Sequence, residues 1–562
     1  MSDGRTLSRN EAIKEASNFL RGTIAEGLGQ VVTGAISDDD QQLTKFHGIY
    51  LQDDRDLRPE RAKQKMEKAF IFMARLRIPG GVLAPEQWLA MDAIAEERAN
   101  GTLRMTTRQT IQFHGIIKSN LKPAIAAINA ALLDTVAACG DVNRNVICTP
   151  NPYQSVLHAE ALKLADGISA HLRPRTGAYH EIWIDGEKIA GGEEEAEDEP
   201  IYGRTYMPRK FKIAVAVPPH NDVDVFAHDL GLIAMIENGR IAGYNVVVGG
   251  GMGMTHGEPD TYPRTGDVIG FCTPDQAIDI AEKVVLVQRD HGDRSDRKHA
   301  RLKYTIDRNG LDWFGDELTA RLGYALAPAR PFVFERSGDP LGWIKGDDGH
   351  THFTLFVENG RVKGKLRTAL AAIARVHTGK FIITPNQNLV IAGITPEQEP
   401  LIRALLEEHG LANPSGGLRR NAMACVALPT CGLALAESER YLPDLVTALE
   451  TALLENGLAE DEITIRMTGC PNGCARPYLA EIGLVGRTPG VYNLYLGGAF
   501  DGARLNKLFR EDLQHDAIVA ALTPLFAQYA KERGAGEHFS DFVIRAGHIA
   551  PTRSGRTFHD RS

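Results

Sequence analysis

The sequence predicts an α+β protein built twice from one unit. Three observations carry this: an internal repeat, strand-like alternation at the start of each copy, and helical periodicity further on. "LRMTTRQTIQFHGI" (103–116) matches "FIITPNQNLVIAGI" (381–394), with Thr106 over Thr384, Gln109 over Gln387 and Gly115 over Gly393. "NRNVIC" (143–148) matches "RRNAMAC" (419–425), and "LHAEALKLADGI" (157–168) matches "LALAESERYLPDL" (433–445), with Glu160 over Glu437. "YNVVVGG" (244–250) matches "YNLYLGG" (492–498) at a shorter offset, because the first copy carries an insertion that includes the acidic run "GGEEEAEDEP" (191–200). Ordered matches of this kind mark a duplicated unit. The copies span roughly 71–330 and 341–510.

Bulk properties agree with this size and class. A chain of 562 residues is too long for one core. It is 43% hydrophobic and 24% charged, with a net charge of −9, which argues against a general nucleic-acid binder. No apolar run is long enough to span a bilayer, and "MSDGRTLSRNEAIKEA" lacks the core of a signal peptide, so a cytoplasmic location is expected.

Residues 1–70 match neither copy. Ending in "QDDRDLRPERAKQKMEK", they predict a helix or an arm that docks on something else. Next, "TLRMTTRQTIQFHGI" alternates as a strand should, putting Arg104, Thr106 and Arg108 on one face with Gln112 and His114 continuing it. Such a face is a plain solvent face or a carboxylate-binding one, since Arg suits bidentate carboxylate contacts. The second copy has Ile382, Thr384 and Asn386 there, so the halves have specialised. "QSVLHAEALKLADGISAHL" and "LALAESERYLPDLVTALETALL" both have helical periodicity. In "PRKFK", Arg209, Lys210 and Lys212 lead into the strand "IAVAV", as a solvated strand end or as an anion site. "GGGMGMTHG" (249–257) lacks the following helix of a dinucleotide loop and is read as a backbone approach to a cofactor or to the other half.

Seven cysteines are too few for a disulfide scaffold, yet four crowd together as Cys425-x5-Cys431 and Cys470-x3-Cys474. Buried free thiols and a structural zinc are the bland readings, but zinc ribbons favour C-x2-C knuckles. Four thiolates on two loops suit a cubane iron–sulfur cluster better. "MACVALPTCGLALAE" runs toward a predicted helix, which places Cys431 near a helix N-terminus where N–H groups favour thiolate. In "TGCPNGC", Pro471 and Gly473 predict a tight turn that aims both sulfurs one way.

"ACVALPTC…MTGCPNGC" resembles the signature of the sulfite and nitrite reductases that carry sirohaem and a [4Fe–4S] cluster. "KFHGIYLQDDRD", "RIPGGV", "NRNVICTPNPY", "PRKFK" and "GLVGRTPGVYNLYLGG" extend the resemblance to nearly the whole chain, closest to the NADPH-linked bacterial type. It implies three lobes about a pseudo-twofold axis, with sirohaem and cluster at the centre. The expected domains are an N-terminal partner-docking segment (1–70), ferredoxin-like half-domains (71–140 and 341–412), a sirohaem-binding domain (141–340) and a cluster-bearing domain (413–562).

By resemblance, Cys425, Cys431, Cys470 and Cys474 ligate the cluster and Cys474 also bridges to the sirohaem iron. Arg77, Arg144, Lys210 and Lys212 bind sulfite, while Arg104, Thr106, Arg108, Gln112, His114, Arg209 and Asn472 contact sirohaem. The implied reaction is the six-electron reduction of sulfite to sulfide for cysteine biosynthesis. No flavin or NADPH site is visible, so the implied donor is an NADPH-oxidising flavoprotein carrying FAD and FMN. The alternative is a ferredoxin-dependent sulfite or nitrite reductase.

Overall fold

The computed structural model describes residues 6–175, 182–184, 187–190 and 199–560. Most of the acidic run at 191–200 lies outside the described residues.

The duplication is visible in paired sheets. In the first copy, Ile49–Asp53, Phe70–Arg75, Ile111–Ile116, Leu103–Met105 and Arg361–Val362 form a five-stranded antiparallel sheet. Its counterpart contains Gly342–Lys345, Thr351–Leu355, Leu389–Ile394, Lys380–Ile383 and Val82–Leu83. Each sheet therefore takes its last strand from the other copy: Val362 pairs with Leu103, and Val82 with Ile382. The helices Pro85–Arg98 and Gly364–Ala374 pack between the sheets, and Trp88, fully buried, stacks on Phe381 with ring centroids 5.0 Å apart. One apolar core is thus shared by the two half-domains.

Two larger sheets repeat a second pattern. Ile147–Cys148, Ile213–Ala216 and Leu230–Glu237 run parallel, followed by Arg240–Val248 and Asp267–Cys272 antiparallel. Ala422–Ala424, Ile465–Thr468, Ile482–Thr488, Val491–Leu496 and Lys507–Leu513 follow the same order and directions. "IAVA" at 213–216 is apolar and buried on both faces, as central parallel strands are. The crossover helices are Val156–His171 and Leu442–Glu455, and Ala277–His291 matches His515–Glu532 after the last strands.

Several expectations change. The stretch 103–116 is a hairpin, not one strand: Thr106 N–H bonds the Thr110 carbonyl and Gln109 adopts φ +48°. Arg104 and Gln112 are cross-strand partners. The second copy repeats this turn at Thr384–Asn388, with Gln387 at φ +71°. The pairing of Glu160 with Glu437 does not hold, because the second crossover helix starts at Leu442 and 433–441 is irregular. Consequently no helix begins beside Cys431. Residues 6–70 are not a free arm either. Ile49–Asp53 is an edge strand of the first sheet, and the buried Lys14 donates to the Met207 carbonyl at 2.9 Å.

Candidate active site

The cysteines come together where the central parallel strand Ile465–Thr468 ends and the irregular 425–441 stretch returns to it. Cys425 N–H bonds the Met467 carbonyl and its sulfur accepts from Gly469 N–H at 3.4 Å. The Asn472 side-chain amide lies 3.5 Å from Cys470 Sγ. Burial raises the thiols of Cys425, Cys431 and Cys470, the last to about 11, and the neighbouring Cys474 raises each further. Backbone N–H groups of Leu433 and Ala434 favour the Cys431 thiolate, supplying what a helix N-terminus was expected to supply. Thiols held up in this way would ionise together only beside a multiply positive centre. Among the described residues no three His, Cys, Asp or Glu side chains converge tightly enough for a single metal ion. Four cysteine sulfurs from two loops are the donor set a cubane cluster uses.

Cys474 differs from the other three in being exposed. It opens onto a cleft that it lines together with Asn472, Gly473 and Arg476. Gly473, at φ +62°, makes the close approach possible, because a Cβ there would sit 2.9 Å from the Met252 carbonyl. The Gly-rich loop reaches the cysteine loop as read: Met254 N–H bonds the Pro471 carbonyl at 2.9 Å. Lys303, fully buried, donates to the Gly251 and Gly253 carbonyls and so holds that loop in place.

Facing Cys474 across the cleft are Arg108, Lys210, Lys212 and Arg301. Lys210 and Lys212 sit just before the strand Ile213–Ala216, and neither ammonium has a hydrogen-bond acceptor among the described residues. Burial, then Arg209, lowers Lys210 to about 7. Burial, then Lys210, holds Lys212 well below the usual lysine range. Arg108 is lowered to about 9, first by burial and then by Arg476 and Arg144. Arg209 is lowered to about 10 by burial and Arg297. This cationic wall and an exposed thiol sharing one cleft suit a polyanionic ligand.

The other expected residues divide. Arg144 donates to the carbonyls of Gly140 (2.9 Å) and Ala138 (3.3 Å) and lies in the field of Lys210 and Arg108. Asn472 lines the cleft beside Cys474. Thr106 accepts Arg108 N–H at 3.1 Å and so shapes the turn. Arg104, 1% exposed, is spent on protein: Nε reaches Glu439 at 2.9 Å, while Nη1 and Nη2 reach the Met105 and Ala424 carbonyls. His114 is buried against Gln52, and burial followed by Arg361 holds it well below the usual histidine range. Arg77 donates to Ser169 Oγ at 2.9 Å and is not among the cleft-lining residues. Two residues earlier, Arg75 lies in the field of Cys139, Tyr50 and Cys474, and with its amide turned so that oxygen faces the guanidinium, Gln112 accepts from Arg75 Nε at 3.2 Å. The structure thus assigns the inward direction to Arg75, not Arg77, as alternation after the strand Phe70–Arg75 is lost. Sequence reading also missed His228 and Arg301, which belong to no motif, and Arg476, which follows Cys474 by two residues; each lines the cleft.

The chain matches the family described as "Nitrite and sulphite reductase 4Fe-4S domain" over 165–326 and "Nitrite/Sulfite reductase ferredoxin-like half domain" over 63–131 and 344–409. The four cysteines lie on the second, topologically equivalent copy of the first of these. The chain is 60% identical to "Sulfite reductase [NADPH] hemoprotein beta-component" of Methylobacterium radiotolerans, covering 99% of this chain and 91% of the relative. It is 59% identical to the protein of the same name from Geobacillus kaustophilus, covering 98% and 97%. The solved Mycobacterium tuberculosis NirA protein superposes with a TM-score of 0.79 at 26% identity, over 96% of this chain and 97% of that one.

Proposed function

We propose that this chain, which belongs to the nitrite and sulphite reductase family, reduces sulfite to sulfide as the haemoprotein component of an NADPH-linked sulfite reductase. The observation that carries the reading is the cleft in which Cys474 of the second copy faces Lys210, Lys212 and Arg108 of the first. Cys425, Cys431, Cys470 and Cys474 would hold the [4Fe–4S] cluster, and Cys474, the exposed one, would also reach the sirohaem iron. The cationic wall would hold the sirohaem carboxylates and the substrate. When bound, the two groups together supply electrons to sulfite.

The remaining work belongs to side chains. Sulfite is a small dianion near neutral pH, and Lys210, Lys212 and Arg144 would offer it positive charge. Preorganised donors of this kind contribute about 2.7–4 kcal/mol each to transition-state stabilisation. Three oxygens must leave as water, so protons must arrive at them. Lys210, lowered to about 7, is half protonated near neutral pH and so is matched to that task.

The electron donor would dock near Cys431. Arg55 donates to the carbonyls of Cys431 (3.2 Å) and Ala434 (2.6 Å), so the segment after the first edge strand lies against a cluster-bearing loop. Lys63, Lys65 and Lys68 are exposed on the same segment and would pair with carboxylates on the donor. The purified protein tests the whole reading: a Soret band with a chlorin-like red band, and a higher kcat/KM for sulfite than for nitrite, are expected. A colourless, zinc-loaded protein would contradict it.

A further inference from the structure

Two consecutive buried residues hold the cationic wall in place. His228 and Asp229 immediately precede the strand Leu230–Glu237 and are 1% and 0% exposed. Both ring nitrogens of His228 are engaged. Nε2 lies 2.9 Å from the Val223 carbonyl, which can only accept, so Nε2 carries the hydrogen. Nδ1 therefore presents its lone pair to Arg108, whose Nη1 is 3.2 Å away. Burial, then Arg108 and Lys212, keeps the imidazole neutral. Although His228 lines the cleft, it has no spare proton to deliver there.

What it does instead is steer a guanidinium. Arg108 Nη1 meets His228, and Nη2 meets the Asn145 and Ile213 carbonyls, the latter at 3.0 Å. Arg108 Nε is buried and has no partner among the described residues. A buried charged donor left unpaired is costly, so this nitrogen is one a ligand in the cleft would satisfy.

Asp229 does the same for two more cations. Its carboxylate takes Arg301 in a fork, at 3.0 Å from Nε and 2.7 Å from Nη2. The same carboxylate accepts the backbone N–H of Lys212 at 3.0 Å. Leu230 N–H, next in the chain, bonds the Lys212 carbonyl at 3.1 Å, so residue 212 is gripped on both sides. Arg301 and Lys212 both line the cleft.

We propose that His228 and Asp229 form a positioning pair: a neutral acceptor that aims Arg108, and a carboxylate that aims Arg301 and Lys212, at an oxyanion held in the cleft. The inference rests on the reading of the cleft given above.

The test compares His228→Gln, His228→Leu and Asp229→Asn with the parent, as purified pigmented protein. Sulfite is titrated and followed by the visible spectrum, and kcat and KM are measured separately. Pigment per chain reports loading. Gln keeps an acceptor for Arg108, and its sulfite affinity is expected within about threefold of the parent. Leu and Asp229→Asn each lose a contact to a charged group and should weaken sulfite binding by roughly tenfold or more at unchanged loading. Gln behaving like Leu, or weaker binding that simply tracks lost pigment, overturns the pairing. Should His228→Leu yield no pigmented protein, His228→Met takes its place as the variant without a nitrogen or oxygen acceptor, and Asp229→Asn tests the other half. A parent whose spectrum ignores sulfite removes the proposed function itself, a result distinct from equal behaviour among variants.

Discussion

Cys474 and Lys210 come from different copies of the repeat and meet across one cleft, close enough that negative charge on the Cys474 sulfur favours the Lys210 ammonium. Duplication alone gives two similar faces. Chemistry arises because one copy kept thiols and the other accumulated cations.

The cysteines should not be equivalent. Cys470→Ser is expected to remove cluster iron, whereas Cys474→Ser should remove both cluster and sirohaem absorbance. Iron content and the visible spectrum of each purified variant check this.

Lys210 sets a pH limb. Its pKa is lowered to about 7, so the proton it gives is present below that pH and lost above it. The rate should fall as pH rises through about 7. Lys210→Met should lower kcat by about 10²–10⁴-fold while sulfite binding changes less. Untouched sulfide formation with weakened binding would leave Lys210 a binding residue only. Lys210→Arg should retain binding and move the alkaline limb upward.

Arg104 and Glu439 join the copies. The pair is 2.9 Å apart, Arg361 also reaches Glu439 at 2.6 Å, and Arg104 caps the Ala424 carbonyl beside Cys425. Removing one partner of a buried pair costs about 3–5 kcal/mol, so Glu439→Gln should lower the unfolding midpoint clearly. Despite a burial cost, Arg104 and Arg361 hold the Glu439 carboxyl below its ordinary range. A depressed carboxyl contributes stability above its unfolded pKa and loses it as pH falls through the folded one. The parent should therefore lose more stability on acidification than Glu439→Gln, as denaturant unfolding at several pH values would show.

Deleting residues 1–60 should not yield a well-folded protein with a clean docking defect, because Ile49–Asp53 pairs along its length with Phe70–Arg75. Docking is better tested by reversing charge at Lys63, Lys65 and Lys68. The expected result is slower reduction by the flavoprotein, most pronounced at low salt, with unchanged activity on a small-molecule reductant.

Much of the fold was legible because the repeat is written in turn residues. Thr106 and Thr384 close the same turn, and Gln109 and Gln387 share its left-handed conformation. The strand exchange was not legible, since Val82–Leu83 and Arg361–Val362 are too short to carry a pattern. Alternation put Arg104 and Arg108 on one face, yet the turn at 106–109 sends them apart: Arg108 to His228, Arg104 to Glu439. The cysteines were readable from spacing in Pro/Gly turns. His228 and Asp229 were not, because their role depends on partners distant in sequence.

The most direct test of the account is electron stoichiometry. Purified protein supplied with a chemically reduced one-electron dye and sulfite should oxidise six dye molecules for each sulfide released. Dye oxidation without sulfide, or none that depends on sulfite, would contradict it.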